Sequence, residues 1–349
     1  MLKFLLLALI FLLASCGSTV QEAEDTTMDK SQHEYIVYPT VHPSVPAPPP
    51  QRYSDYIPVI PDIPTPIHSD LPLWEEVASF VCHYGTFTDM LGLFDVAIIE
   101  PQQVTRAQLA WLRDHGTFTI GYISVGEDTQ LRTMDGQGPG GYASFYIDDG
   151  HGNPSRNNNW DSYFVDAGNS LWQQHVINRT RELIGMGFDG IFLDTIDTAE
   201  IFPDTQAGMA NLIRRLRDTF PDIKIVANRG FFLLEEIAPY ISGLMFEAFT
   251  GGYNFTTQDY TVHAGGDLAW TTARADEINR IRETHYFPVF ALDYASPYET
   301  TTIQKLYNRA WEYDFLPSVS TIRLNRVFWR EIEPQTQRGV RSGLTRWNE

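Results

Sequence analysis

Residues 187–197 read GFDGIFLDTID, an apolar run that climbs to Asp194 and is followed three residues later by Asp197. The stretch just before it, 172–186, carries a helical pattern. The run is therefore read as a buried strand with carboxylates at its C-terminal end. Continuous apolar strands belong to parallel sheets that helices cover on both faces. In a (β/α)8 barrel, the C-terminal strand ends are where catalytic residues sit.

The rest of the chain repeats this pattern. Candidate strands fall at 78–84, 96–100, 118–125, 190–195, 224–228, 243–248, 287–294 and 317–324. Helical patterns lie between several of them, at 102–115, 171–186, 206–220, 271–284 and 299–314. In 206–220, Met209, Leu212, Ile213 and Leu216 follow i, i+3, i+4, i+7 spacing. Gly116 and Gly187 stand where C-terminal caps belong. Strand–helix alternation argues for a parallel sheet, and eight strands favour an α/β (β/α)8 TIM barrel over an open sheet. Residues 71–349 are assigned to this domain. One connection, 128–169, is rich in Gly, Asn and Asp and carries Tyr142, Phe145, Tyr146, Trp160, Tyr163 and Phe164. It is expected as a loop over the barrel mouth.

Residues 1–16 read as an export signal. Lys3 precedes an apolar core, 4–13, well short of the ~20 residues that span a membrane. Leu13-Ala14-Ser15-Cys16 is similar to a bacterial lipobox, so Cys16 is expected to be lipidated. An ordinary signal peptide with a chance cysteine is the alternative. The lipid would tether the chain to a membrane without spanning it, and Gly17 favours the outer membrane or cell surface. Residues 17–70 hold ten prolines between Pro39 and Pro66 and read as a flexible linker. Cys82 then has no internal disulfide partner and is expected as a small core residue. The formal charge of −19 argues against nucleic acid as a partner. The chain is expected to be a monomer.

The candidate strands end in a distinctive set. Strand one ends at Tyr84-Gly85, strand two at Glu100 and strand three runs to Glu127. Strand four gives Asp194 and Asp197, strand five Asn228, strand six Glu247, and strand seven Asp293-Tyr294. An acidic cup rimmed by aromatic rings suits a sugar polymer. Glycoside hydrolysis needs one carboxyl group to protonate the leaving oxygen and a second to act as nucleophile or base. Alternation places Phe192, Asp194 and Ile196 on one face of strand four, and Met245 and Glu247 on one face of strand six. A carboxylate inside so apolar a run needs a reason. For either residue alone, a structural ion pair is the competing explanation. Metal chemistry has no HxxxH, HExxH or CxxC to rest on, so no metal site is expected. GxSxG is also missing, and no cofactor is expected.

Tyr84-Gly85, GYISVGE (121–127), FVDAGNSLWQQHV (164–176), GFDGIFLDTID (187–197) and MFEAF (245–249) occur in this order. Together they resemble glycoside hydrolase family 114, the endo-α-1,4-polygalactosaminidase-like barrels. The resemblance covers about 80–294. It implies Asp194 and Glu247 as the catalytic pair, Asp194 as nucleophile or base and Glu247 as acid/base. It implies Glu127, Asp166, Asp197, Asn228 and Asp293 as substrate contacts; Tyr84 and Tyr294 join them from the strand ends. The implied substrate is an α-1,4-linked galactosamine polymer, cationic when deacetylated, which an acidic cup can attract. The chain departs from the family in its long aromatic connection and in Asn228-Arg229-Gly230. A glycan-binding surface lipoprotein without activity is the alternative, and the spacing of Asp194 and Glu247 discriminates. A metal-dependent hydrolase is a third reading, marked by sensitivity to chelators.

Overall fold

The computed structural model describes residues 71–327. The export signal, Cys16, the 17–70 linker and the stretch from 328 onward lie outside the described residues. Eight strands follow one another as β1 (Phe80–His83), β2 (Val96–Ile99), β3 (Phe118–Ser124) and β4 (Gly190–Asp194). Then come β5 (Lys224–Asn228), β6 (Gly243–Glu247), β7 (Val289–Tyr294) and β8 (Leu316–Ser320). Each pairs in parallel with the next in sequence. The ring is nearly closed where β1 meets β8: Tyr84 N–H donates to Leu324 O at 2.5 Å. Gly85 makes that seam possible, since a Cβ there would lie 2.4 Å from Asn325 O.

The helices α1 (Arg106–Asp114), α2 (Ser170–Met186), α3 (Gln206–Thr219), α4 (Gly265–Arg282) and α5 (Thr300–Glu312) alternate with the strands from β2 onward. Their ends follow local chemistry. Thr105 and Gln108 form a reciprocal capping box at the start of α1. Asn169 accepts from Leu171 N–H at the start of α2, and Gly187, at φ 112°, ends it. Between β1 and β2, and between β5 and β6, the chain makes only short helical turns.

Alternation along the strands builds two layers. Val81, Ala97, Ile191, Leu193, Ile225, Ala227, Leu244, Phe246, Val289 and Ala291 pack toward the helices. Phe80, Cys82, Ile98, Ile120, Phe192, Val226, Met245, Phe290 and Leu292 fill the barrel interior. Trp74 plugs the N-terminal end of that interior. Its ring meets Phe118 edge-on at 5.1 Å, Lys224 Nζ lies 5.3 Å from it, and its Nε1–H donates to Ser242 O at 2.6 Å.

Two extensions rise from the C-terminal strand ends. The 128–169 connection is more than a loop: Glu127–Asp128, Arg156–Asn157 and Ser162–Phe164 form a small antiparallel sheet. After β6 comes a hairpin that the sequence reading did not anticipate, Gly251–Asn254 paired with Asp259–Val262. The extensions meet where Trp160 stands edge-on to Phe255 at 5.4 Å.

Trp74 is 6% exposed. Trp74→Ala is therefore expected to lower unfolding free energy by about 3–5 kcal/mol in a urea titration. A loss under about 1 kcal/mol would show that the plug contributes little.

Candidate active site

Alternation carries three polar side chains from adjacent strands into the barrel interior. On β4, Ile191 and Leu193 face the helices, so Phe192 and Asp194 face inward. On β5, Ile225 and Ala227 face out, which turns Val226 and Asn228 in. On β6, Leu244 and Phe246 face out, which turns Met245 and Glu247 in. Asp194, Asn228 and Glu247 are 1%, 2% and 3% exposed. Each is the last residue of its strand.

The backbone turns sharply after each of the three. Thr195, Arg229 and Ala248 all adopt left-handed conformations, at φ 63°, 54° and 53°. Such turns cost about 1–3 kcal/mol each in residues other than glycine. Side-chain and backbone contacts hold them. Thr195 Oγ1 donates to Asp194 O at 2.6 Å and accepts from Gly126 N–H at 2.8 Å. A Cβ on Gly126 would collide with Thr195 O at 2.2 Å, so the glycine of GYISVGE fits the chain against β4. Ala248 N–H donates to Leu292 O at 2.7 Å, and Ala248 O shares a hydrogen bond with His263 Nε2 at 2.9 Å.

The two carboxylates are joined by one amide. Asn228 Nδ2 donates to Asp194 Oδ1 at 2.9 Å and to Glu247 Oε2 at 2.7 Å. The remaining oxygens each take a phenol: Tyr122 O–H donates to Asp194 Oδ2 at 2.7 Å, and Tyr294 O–H donates to Glu247 Oε1 at 2.6 Å. Hydrogen bonds to a charged acceptor are each worth about 1.5–3 kcal/mol. Asn228 Oδ1, by contrast, is buried with no donor. The amide thus satisfies both carboxylates and leaves its own oxygen unmatched. Burial pushes Asp194 up to about 6 against the Asn228 and Tyr122 bonds. Burial and then the Asp194 charge push Glu247 up to about 7, against Tyr294 and Asn228. Burial and the closeness of the two groups hold both carboxyls toward their protonated forms.

The other expected contacts divide by face. Tyr84 is buried beside the pair, its ring 5.3 Å from that of Tyr122. Glu127 stands at the mouth, where its carboxylate accepts from Asn157 Nδ2 at 3.1 Å and from Ser162 Oγ. Burial raises Glu127 to about 7, with the Asp194 and Asp197 charges adding to it. Asp197 is half-buried at the start of the Thr198–Ile201 turn, in the field of Arg229. The Arg229 guanidinium lies 5.7 Å from Trp270 and 5.9 Å from Phe231.

Asp166 and Asp293 each accept from backbone N–H groups. Asp166 Oδ1 accepts from Gly168 N–H at 2.8 Å in the turn that leads into α2. Asp293 lies on the helix-facing side of β7, because Phe290, Leu292 and Tyr294 occupy the inner face. Its Oδ1 accepts from Thr250 N–H at 2.6 Å and Gly251 N–H at 2.8 Å, so it braces the chain just past Glu247. Arg309 braces the same segment, donating to Phe249 O and Thr250 Oγ1, both at 2.8 Å. Sequence reasoning missed Tyr122. It lies inside GYISVGE, two residues beyond inward-facing Ile120, so the alternation already marked it.

The buried carboxyls make stability depend on pH. A carboxyl whose pKa is higher in the folded than in the unfolded chain binds its proton more tightly in the fold. Stability is then lost as pH rises through the folded value. Glu127, Glu247 and Asp293 are all raised to about 7, chiefly by burial. Burial lowers His83, His175 and His263, which act with the opposite sign below the ordinary histidine value. From about pH 6.5 to about pH 8 the carboxyls dominate. The thermal midpoint is expected to fall over that interval, and Glu247→Gln to lessen the fall. A midpoint that holds or climbs would contradict this electrostatic account.

The fold has clear relatives among solved structures. The glycoside hydrolase domain of PelA from Pseudomonas aeruginosa superposes with a TM-score of 0.60 at 23% identity, over 72% of this chain and 97% of that one. Aspergillus fumigatus Ega3, solved in complex with galactosamine, superposes with a TM-score of 0.54 at 12% identity, over 74% of this chain and 97% of that one. Among curated proteins no sequence matches this one. The glycoside-hydrolase family GH114 pattern matches residues 65–334, which take in all eight strands of the barrel. The chain therefore belongs to glycoside-hydrolase family GH114 and is a glycoside hydrolase.

Proposed function

We propose that this enzyme cleaves galactosamine-containing polysaccharide with retention of configuration, using Asp194 as nucleophile and Glu247 as acid/base. The observation that carries the reading is the shared Asn228 amide. The nearest oxygens of the two carboxylates lie 2.9 and 2.7 Å from one nitrogen, so their separation cannot exceed the sum of those distances. Retaining glycosidases hold their two carboxyl groups about 5–5.5 Å apart, whereas inverting ones leave about 6.5–9.5 Å for a water.

In the first step the Glu247 carboxyl gives its proton to the glycosidic oxygen as the bond from C1 to that oxygen breaks. Asp194 bonds to C1 through a carboxylate oxygen, forming a glycosyl ester. In the second step Glu247, now ionised, takes a proton from water while the water oxygen attacks C1 and displaces Asp194. The roles follow the family resemblance, and burial raises both carboxyls, so the pair can hold the proton that an acid/base residue gives up near neutral pH. Glu127 and Asp197 add negative charge around Asp194, and that suits an amino sugar carrying a proton. The family and the galactosamine bound to Ega3 support this substrate class.

Reducing-end release from galactosamine polymer tests the reading. The parent chain is expected to release ends, and Asp194→Asn and Glu247→Gln each to lower kcat by about 10³-fold or more while melting like the parent. Near-parent activity in either variant would overturn the residue assignment. Silence of the parent on this polymer, with cleavage of a different α-glycan, would overturn the substrate.

We infer further, from the apolar run 4–13 and the Leu13-Ala14-Ser15-Cys16 sequence, that the enzyme is exported and lipid-anchored through Cys16. Cys16→Ala should move the protein from the membrane fraction to the soluble fraction of cells; an unchanged distribution would contradict the anchor.

A further inference from the structure

We propose that Asn228 is a positioning residue for both steps of catalysis: its one amide nitrogen holds Asp194 and Glu247 at their short spacing and sets where each ionises. This rests on the assignment of those two carboxylates as the catalytic pair. Three observations carry it. The nitrogen has two hydrogens, and each goes to a different carboxylate, at 2.9 and 2.7 Å. The carbonyl oxygen of the same side chain is buried with no donor. An amide that served only the fold would be expected to match that oxygen too. The strand end that presents Asn228 is itself turned left-handed at Arg229, whose N–H donates to Met245 O at 2.9 Å, tying β5 to β6 beside Glu247.

The surroundings of the pair determine what losing the amide does. Tyr122 donates to Asp194, whose charged neighbours are Asp197 and Glu127, with Tyr84 and Cys82 below. Tyr294 donates to Glu247, which faces Asp194 and Arg229. Each donor favours the ionised form of the carboxyl it serves. Removing Asn228 takes one donor from each group, so both should hold their protons to higher pH. Removing Tyr294 takes a donor from Glu247 alone.

The test is the pH profile of kcat/KM on galactosamine polymer, measured on the full chain. Asn228→Ala is expected to lower the maximum about 10²-fold, since loss of alignment by about 1 Å has that effect. It should also move both limbs of the bell toward alkali. Tyr294→Phe should move only the alkaline limb. A lowered maximum with both limbs in place would mean a purely structural role and overturn the proposal. Should Asn228→Ala fail to fold, Asn228→Ser, too short to span the pair, takes its place. The parent gives an independent reading that needs no substrate. Asparagine-labelled protein should show a slowly exchanging side-chain amide whose proton shifts follow two titrations. No asparagine amide following either titration would overturn the proposal, even if the polymer is not the substrate.

Discussion

Two carboxylates held inside an apolar barrel are the constraint around which this molecule is arranged. Desolvating an ionised carboxylate costs several kcal/mol, and an unpaired one would be expelled or neutralised. Asp194 and Glu247 remain because hydrogen-bond donors face them: both hydrogens of the Asn228 amide, the Tyr122 and Tyr294 phenols, and the Thr195 backbone beside Asp194. None of those donors is a cation, so the pair stays close in energy to its protonated forms. An arginine in the same place would have locked both groups in the charged state. The amide and phenols instead leave the pair able to hold a proton toward neutral pH, which the proposed acid/base role requires.

The fold delivers these groups by repetition. Three adjacent strands each end on an inward side chain, and each then turns left-handed. Such a turn is costly outside glycine, so neighbouring contacts must hold it. Asp293, His263 and Arg309 secure the turn after Glu247. Thr195 and Gly126 secure the one after Asp194. Residues behind the barrel wall thus help to hold the pair in place. The extensions above the mouth come from β3 and β6 and meet at Trp160 and Phe255, so the pair lies between two anchored rims.

Much of this was legible in the chain itself. The eight apolar runs matched the eight strands to within a few residues, because strands buried on both faces carry an unmistakable pattern. Asp194, Asn228, Glu247 and Tyr294 were readable as strand-end groups that converge. Asp293 was not, although the same alternation that selects Glu247 turns Asp293 toward the helices: Leu292 and Tyr294 already occupy the inner face. The small sheet within 128–169 has strands of two or three residues, too short to leave a periodic signal. The Gly251–Val262 hairpin is half polar and begins with two glycines, which masks its strands. The start of α4 at Gly265 was likewise hidden by Gly265-Gly266, poor helix formers stabilised here by context. Direct contacts between side chains, the shared amide above all, follow from three-dimensional register and could not be read from spacing.

Two carboxylates bridged by one amide nitrogen are proposed to act by double displacement. Proton NMR of the product in the first moments of polymer cleavage tests this most directly, before mutarotation mixes the anomers. With double displacement, an α-linked substrate first yields the α-anomer at the new reducing end. First appearance of the β-anomer would mean a single displacement by water and would contradict it.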